Sequence, residues 1–280
     1  MPTLLRLTLE LEEATFLASK QAPAQGWFLK LCQFYHPAVS EALHAEEPEE
    51  KNVRRPYTLS RFYTPPQQVN PLELYAVEQG LSATCDEGEL RRGQRLSLRV
   101  GLLDDDFAES LRDALPNLPL PTVGRGRCAL AAPPEWLYAP WEALAQVPVP
   151  DRLRLEFATP TAFVSQDELL PRPEPERFLA SWRRSWERFA PESVPAPTEE
   201  LLAEAPPLVS AFDLKTLTWP SRQRTCVGFV GWMELTWRRG APEEARRAAA
   251  SLATLAAFCG TGAKTTTGLG QTRSSLLERR

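Results

Sequence analysis

Two stretches far apart in this chain open in the same way, and that repetition limits the fold more than any other feature. Leu5, Leu7, Leu9 and Leu11 alternate with Arg6, Thr8 and Glu10, the period of a strand with one buried and one solvated face. Leu153, Leu155 and Phe157 alternate likewise with Arg152, Arg154 and Glu156. A helical segment follows each strand: residues 27–44, broken at Pro37, in the first half and about 175–189 in the second. A further alternation then appears at Leu96, Leu98, Val100 and Leu102, matched by Val227, Phe229, Gly231, Met233, Leu235 and Trp237. Each is followed by another helix. Asp104, Asp105 and Asp106 supply a cap and dipole partners for the one ending near Leu115. Pro242, Glu243 and Glu244 open the other, and Gly260 provides its left-handed stop. Short closing strands are expected around residues 124–130 and 271–277.

Strand, helix, strand, strand, helix, strand is the ferredoxin-like plan, also called RRM-like, with helices on one face of an antiparallel sheet. The chain is therefore read as α+β with two such domains in tandem. Residues 56–63 and 72–77 compete for the remaining strand of the first half. In the second half, residues 191–223 read as a long proline-rich excursion, a mobile loop. The prolines of residues 131–150 suit a linker, giving domains at 1–140 and 150–280. Phe178, Trp182, Trp186 and Phe189 recur at helical spacing and are assigned to the core rather than to an RNA platform. Ala245, Ala248, Ala249, Leu252, Leu255, Ala256 and Cys259 form the buried face of the last helix.

Composition narrows the chemistry. With 43% apolar residues, no apolar run of membrane-spanning length and no secretory leader, a soluble cytoplasmic protein is expected. The five cysteines form no C-x-x-C pair and there are only two histidines, His36 and His44. Neither a zinc site nor a multi-histidine metal site is expected, and no cofactor is implied. A net charge of −4 argues against indiscriminate coating of nucleic acid, though it leaves room for a local basic patch. Arginine supplies most of the positive charge, the residue suited to bidentate phosphate contacts.

After the last helix comes Gly260-Thr261-Gly262-Ala263-Lys264-Thr265-Thr266-Thr267-Gly268-Leu269-Gly270. Such a run reads as an anion-holding loop, with converging backbone N–H groups, a lysine and threonine hydroxyls. It is not a nucleotide P-loop. That motif needs glycine directly before the lysine and again six residues before it, where Ala263 and Phe258 stand. It also opens a helix, whereas this loop leaves one.

Phe258 to Gln271, together with Leu155 to Phe163 at the opening of the second half, resembles the CRISPR-associated endoribonucleases of Cas family six. In the first half Pro37 to His44, followed by Arg55-Pro56-Tyr57-Thr58-Leu59-Ser60, resembles that family's histidine-bearing helix and the strand after it. The resemblance implies metal-independent cleavage of CRISPR repeat RNA, precursor to mature guide. The RNA 2′-hydroxyl attacks the adjacent phosphate and leaves 2′,3′-cyclic phosphate and 5′-hydroxyl ends. It points to His44 as the proton-transfer residue, for which imidazole is suited by its near-neutral pKa. His36 is the competing histidine. Lys51 is the candidate for stabilising the transition state, with Arg54 and Arg55 as alternatives, and Tyr35 is a candidate to share in proton transfer. The RNA-binding candidates are Arg54, Arg55, Arg61, Gly260, Gly262, Lys264, Thr265, Gly268, Gly270 and Arg273, with Arg125 and Arg127 as further backbone clamps. Other effector-complex subunits are further expected partners, with no membrane and a monomer or homodimer. The alternatives are a non-catalytic RNA-binding subunit of the same fold and a scaffold that binds no RNA.

Overall fold

In a computed structural model the described residues are 1–17, 22–35, 54–63, 88–166, 168–220 and 225–278. His36, His44, Lys51 and the alternative strand at 72–77 lie outside them. The first half runs β1 (Thr3–Leu11), β2 (Thr15–Leu17), α1 (Pro23–Tyr35), β3 (Tyr57–Leu59), β4 (Gly88–Leu90), β5 (Arg95–Leu102), α2 (Asp105–Ala114), β6 (Cys128–Leu130) and β7 (Glu135–Tyr138). The second runs α3 (Trp141–Ala145), β8 (Arg152–Thr161), β9 (Phe163–Ser165), β10 (Glu168–Leu170), α4 (Pro175–Phe189), α5 (Glu199–Glu204), β11 (Leu208–Pro220), β12 (Thr225–Thr236), α6 (Glu243–Cys259) and β13 (Thr272–Leu277).

The two main sheets share one antiparallel topology. The first is ordered β3-β5-β1-β6, and β7 also pairs with β1; the second is ordered β11-β12-β8-β13. In both, the opening strand lies between the third and fourth strands of its motif, the order of a ferredoxin-like sheet. Tandem ferredoxin-like organisation is thus the fold of the chain.

Burial of alternate side chains drives each half. Leu5, Leu7 and Leu9 of β1 and Leu96, Leu98 and Val100 of β5 are fully buried against Phe28 and Leu31 of α1 and Leu111 of α2. Leu153, Leu155 and Phe157 of β8 meet Phe178 and Trp182 of α4 and Leu252 and Leu255 of α6 in a second cluster. Each such side chain contributes roughly 1.5–3 kcal/mol relative to exposure. The Asp104 carboxylate accepts from the Phe107 N–H at 2.8 Å and starts α2 as expected.

Two expectations need correction. Residues 135–138 of the proline-rich stretch are strand β7, with Thr3 opposite Tyr138 and Arg6 opposite Glu135. Pro133 and Pro134 split the fourth strand because neither can donate to a ladder, yet the chain rejoins β1 beyond them. Trp141 and Leu144 of α3 already belong to the second core. The long excursion at 191–223 is likewise more regular than expected, since it contains α5 and the strand β11. Pro206 and Pro207 precede that strand and Pro220 ends it, so none interrupts its ladder.

The halves meet where the C-terminus of α6 docks on the non-helical face of the first sheet. The Thr58 hydroxyl donates to Phe258 O at 2.7 Å, and the Arg99 guanidinium donates to Ala257 O and, at 3.4 Å, to Gln271 Oε1. Gln271 Nε2 returns a bond to Leu59 O at 2.8 Å. Gly101 permits the approach: a Cβ there would overlap Phe258 O and lie 2.6 Å from Thr58 Oγ1.

Candidate nucleic-acid interface

The glycine loop leaves α6 at Gly260, whose φ of 66° serves the left-handed exit. It then closes on itself and on the second half. Thr261 N–H donates to Gly270 O at 2.8 Å, Ala263 N–H to Ala162 O at 2.9 Å and Gly270 N–H to Pro160 O at 3.1 Å. Gly262 N–H donates to Ser181 Oγ at 3.1 Å. The Thr261 hydroxyl, fully buried, accepts from Trp182 Nε1 at 2.9 Å and meets Thr272 Oγ1 at 2.7 Å. These donors are therefore consumed inside the protein, which corrects the expectation that the backbone of Thr261 to Ala263 and Gly270 converges on a phosphate. Gly262 and Gly270 have positive φ, and a Cβ on either would collide with a carbonyl, Ala162 O or Thr261 O. The glycines are required for packing the loop.

One side of the loop remains open. Lys264, exposed and left-handed at φ 58°, caps a short 3-10 turn over Thr265–Thr267. Beside it lies a cleft of about 560 Å³ lined by Arg54 and Arg55 from the first half, by Arg177, Arg183 and Arg184 of α4, and by residues 262–266. Among the described residues no aspartate or glutamate lines it. Arg177 is paired with Glu174 at 2.5 Å, and Arg183 with Glu187 at 2.7 Å and Glu199 at 3.2 Å, all carboxylates set back from the cleft. Arg184 is exposed and donates through Nε to its own helix, at Ala180 O. Arg177, Ala180 and Arg184 share the face of α4 turned away from its buried Phe178, Trp182 and Trp186.

The structure separates the candidates. Arg54 is a structural residue: it donates to Gly262 O at 3.0 Å, Ser181 O at 3.2 Å and Ser181 Oγ at 2.6 Å. Burial, with a smaller contribution from nearby Arg184, pulls its pKa below the ordinary guanidinium value. Arg55 and Lys264 line the cleft. Thr265 also lines it but is largely buried, with its methyl against Gly260. Gly260 and Gly270 sit inside the packed loop, and Gly268 lies against Arg61, whose Cγ would be 2.7 Å from an added Cβ. Arg273 is elsewhere, on the second sheet opposite Glu156 and 3.8 Å from its carboxylate. Arg127 is paired with Glu13 at 2.8 Å, and Arg125 leans by its N–H on Thr15 Oγ1. Tyr35 is the half-buried last residue of α1. Sequence reasoning missed Arg177, Arg183 and Arg184, although 177 and 184 stand two helical turns apart beside the aromatic stripe. Among the described residues no group of three or more His, Cys, Asp or Glu is placed to hold a metal ion. No described helix is long and apolar enough to cross a membrane.

Fold and cleft together define a tandem ferredoxin-like protein with a basic interface built from both halves. Residues 155–272 match the family described as CRISPR-associated endoribonuclease Cas6. The likeness in fold is longer. The chain is similar to a Cas6 product complex (TTHB231, the Cas6 also solved alone from Thermus thermophilus), with 24% identity, a TM-score of 0.69 and 98% of this chain and 99% of that one covered. A second Cas6 product complex (TTHA0078) aligns at 25% identity and a TM-score of 0.66, covering 98% and 100%. A RAMP protein described as binding different RNA substrates aligns at 12% identity and a TM-score of 0.58, covering 98% and 99%. No curated protein sequence matches the chain.

Proposed function

We propose that this protein is a metal-independent endoribonuclease that binds CRISPR repeat RNA and cuts it within the repeat. The Cas6 match supports RNA cleavage in repeat processing at the level of the family. The single observation that carries the reading for this chain is the basic cleft, with arginines from both halves, Lys264 and no carboxylate among its described lining residues. An arginine-lined channel of this kind neutralises successive phosphates and holds a strand in register. The chain leaving Arg54 toward its N-terminus reaches Lys51 and then His44.

In the proposed reaction the 2′-oxygen forms a bond to the adjacent phosphorus and the bond to the 5′-oxygen breaks. His44 transfers a proton, to the departing oxygen or from the attacking hydroxyl, while Lys51 or Arg55 stabilises the extra negative charge of the phosphorane. Tyr35 is retained as a second proton-transfer candidate. The test is single-turnover cleavage of repeat RNA from the adjoining array, in EDTA, with analysis of the product ends. Wild type should yield 2′,3′-cyclic phosphate, and His44→Ala should slow cleavage about a hundredfold or more with little change in RNA affinity. Wild-type protein that binds the repeat without cutting it would make the chain a non-catalytic RNA-binding subunit instead. Wild-type cleavage rates in His44→Ala would remove that residue from the chemistry.

A further inference from the structure

The basic cleft has one wall that cannot hold a phosphate. Phe163 and Val164 of β9 line it beside the arginines. Val164 is 48% exposed there although its side chain is wholly apolar. The other described lining residues are cations, threonines, glycine and two alanines that add only a methyl group each.

The register of the β9–β10 hairpin sets the direction of that side chain. Phe163 pairs with Leu170, Val164 with Leu169 and Ser165 with Glu168, and successive side chains of a strand point to opposite faces. Phe163 turns inward, buried in the second core with its ring centroid 5.9 Å from that of Phe178. Val164 therefore turns outward, with Leu169 beside it on the same face. Two residues earlier, Ala162 O accepts from Ala263 N–H at 2.9 Å, so the segment that anchors the glycine loop also presents the valine. Phe178 adjoins Arg177 in α4, which sets Val164 at the Arg177 end of the cleft; Arg184 lies about 10 Å further along the helix.

An isopropyl group gains nothing from a phosphate. A nucleic-acid strand whose phosphates rest on arginines offers apolar surface only through the faces of its bases and its sugars, and base faces are the larger. Valine suits such a contact because its χ1 is restricted, so the surface is set before RNA arrives. It has no donor or acceptor with which to read a base edge.

We propose that Val164 is the base-contacting wall of the cleft, resting against the face of one unstacked base of the repeat RNA while Arg55, Arg177 and Arg184 hold phosphates. The proposal rests on the binding of repeat RNA in this cleft. The contact requires a base at that position and an exposed face, and it is indifferent to which base supplies it.

The test is a scan of single abasic sites through the repeat RNA with wild-type protein, Val164→Ala and Val164→Ile. Apparent dissociation constants come from the protein-concentration dependence of binding or, where the RNA is cut, of the single-turnover rate. Val164→Ala should bind the intact repeat about fivefold more weakly, as expected for losing the burial of a half-exposed valine. Its slope of log K against log salt should be that of wild type, since no charge is removed. One abasic position should weaken wild type by a similar factor and have no further effect on Val164→Ala, while penalties elsewhere persist in both. Val164→Ile keeps the apolar surface and should behave as wild type. Val164 lies outside the core, and unchanged melting curves confirm folding. Wild type that fails to bind the repeat would overturn the RNA reading of the cleft and this proposal with it. Wild type that binds would remove Val164 from recognition and leave the cleft in place if Val164→Ala bound as tightly, or if it lost the same factor on every abasic RNA.

Discussion

Arg54 and Arg55 are adjacent cations whose surroundings give them different work. Arg54 spends its guanidinium on Gly262 O and Ser181, fastening the glycine loop to α4, while Arg55 lines the basic cleft. Arg55→Ala should therefore weaken repeat RNA binding and lower the slope of log K against log salt by about one. Arg54→Ala should leave that slope in place and cost roughly 1–3 kcal/mol of stability, because Gly262 O and Ser181 lose their donor. Salt-dependent binding curves and thermal melts of the two variants decide the matter. A reduced salt slope in Arg54→Ala would return that residue to the RNA. Sequence could not separate the pair, since the carbonyls that claim Arg54 lie far away in the chain. Arg273, an RNA-binding candidate from the sequence, was no more legible, because the partner it stands opposite, Glu156, lies on a strand far away in the chain.

At the scale of elements, legibility followed burial. The helix α4 runs Pro175–Phe189, and the stripe that announced it has Phe178, Trp182 and Trp186 buried in the core. β8 and β12 alternate because one face of each is packed. β11 gave no such signal, since an edge strand with exposed Val209, Phe212 and Asp213 has little burial to impose a period. The glycine loop was recognisable by composition, but its ligands were not, because Ala162, Pro160 and Ser181 satisfy its N–H groups from other elements. Gly270→Ala probes that packing directly. At φ 65° an L side chain is strained, and the new Cβ would overlap Thr261 O, whose carbon lies 3.1 Å away. The loop has to shift, with an expected loss of about 1–3 kcal/mol. Chemical denaturation measures it, and a variant as stable as wild type would show that the loop relaxes freely.

The whole molecule depends on the end of one helix. The last carbonyls of α6 lack partners within the helix. They are claimed in turn by Gly260 N–H at Ala256 O, by Arg99 at Ala257 O and by the Thr58 hydroxyl at Phe258 O. Among the described residues Arg99 has no carboxylate partner there. Burial draws its pKa down to about 10, so it stays charged at neutral pH, where the negative end of the α6 dipole favours a cation. Gly101 decides whether this contact can close, because it sits on the face of β5 that α6 approaches and away from the first core. Gly101→Val should hold the halves apart while leaving each core intact. Calorimetry should then show the single unfolding transition broadened or split in two, and RNA affinity should fall although every cleft cation is still present, since Arg55 would no longer face α4. If the variant melted as one unit at the wild-type temperature and bound RNA normally, the halves would have to be coupled by something other than the α6 terminus.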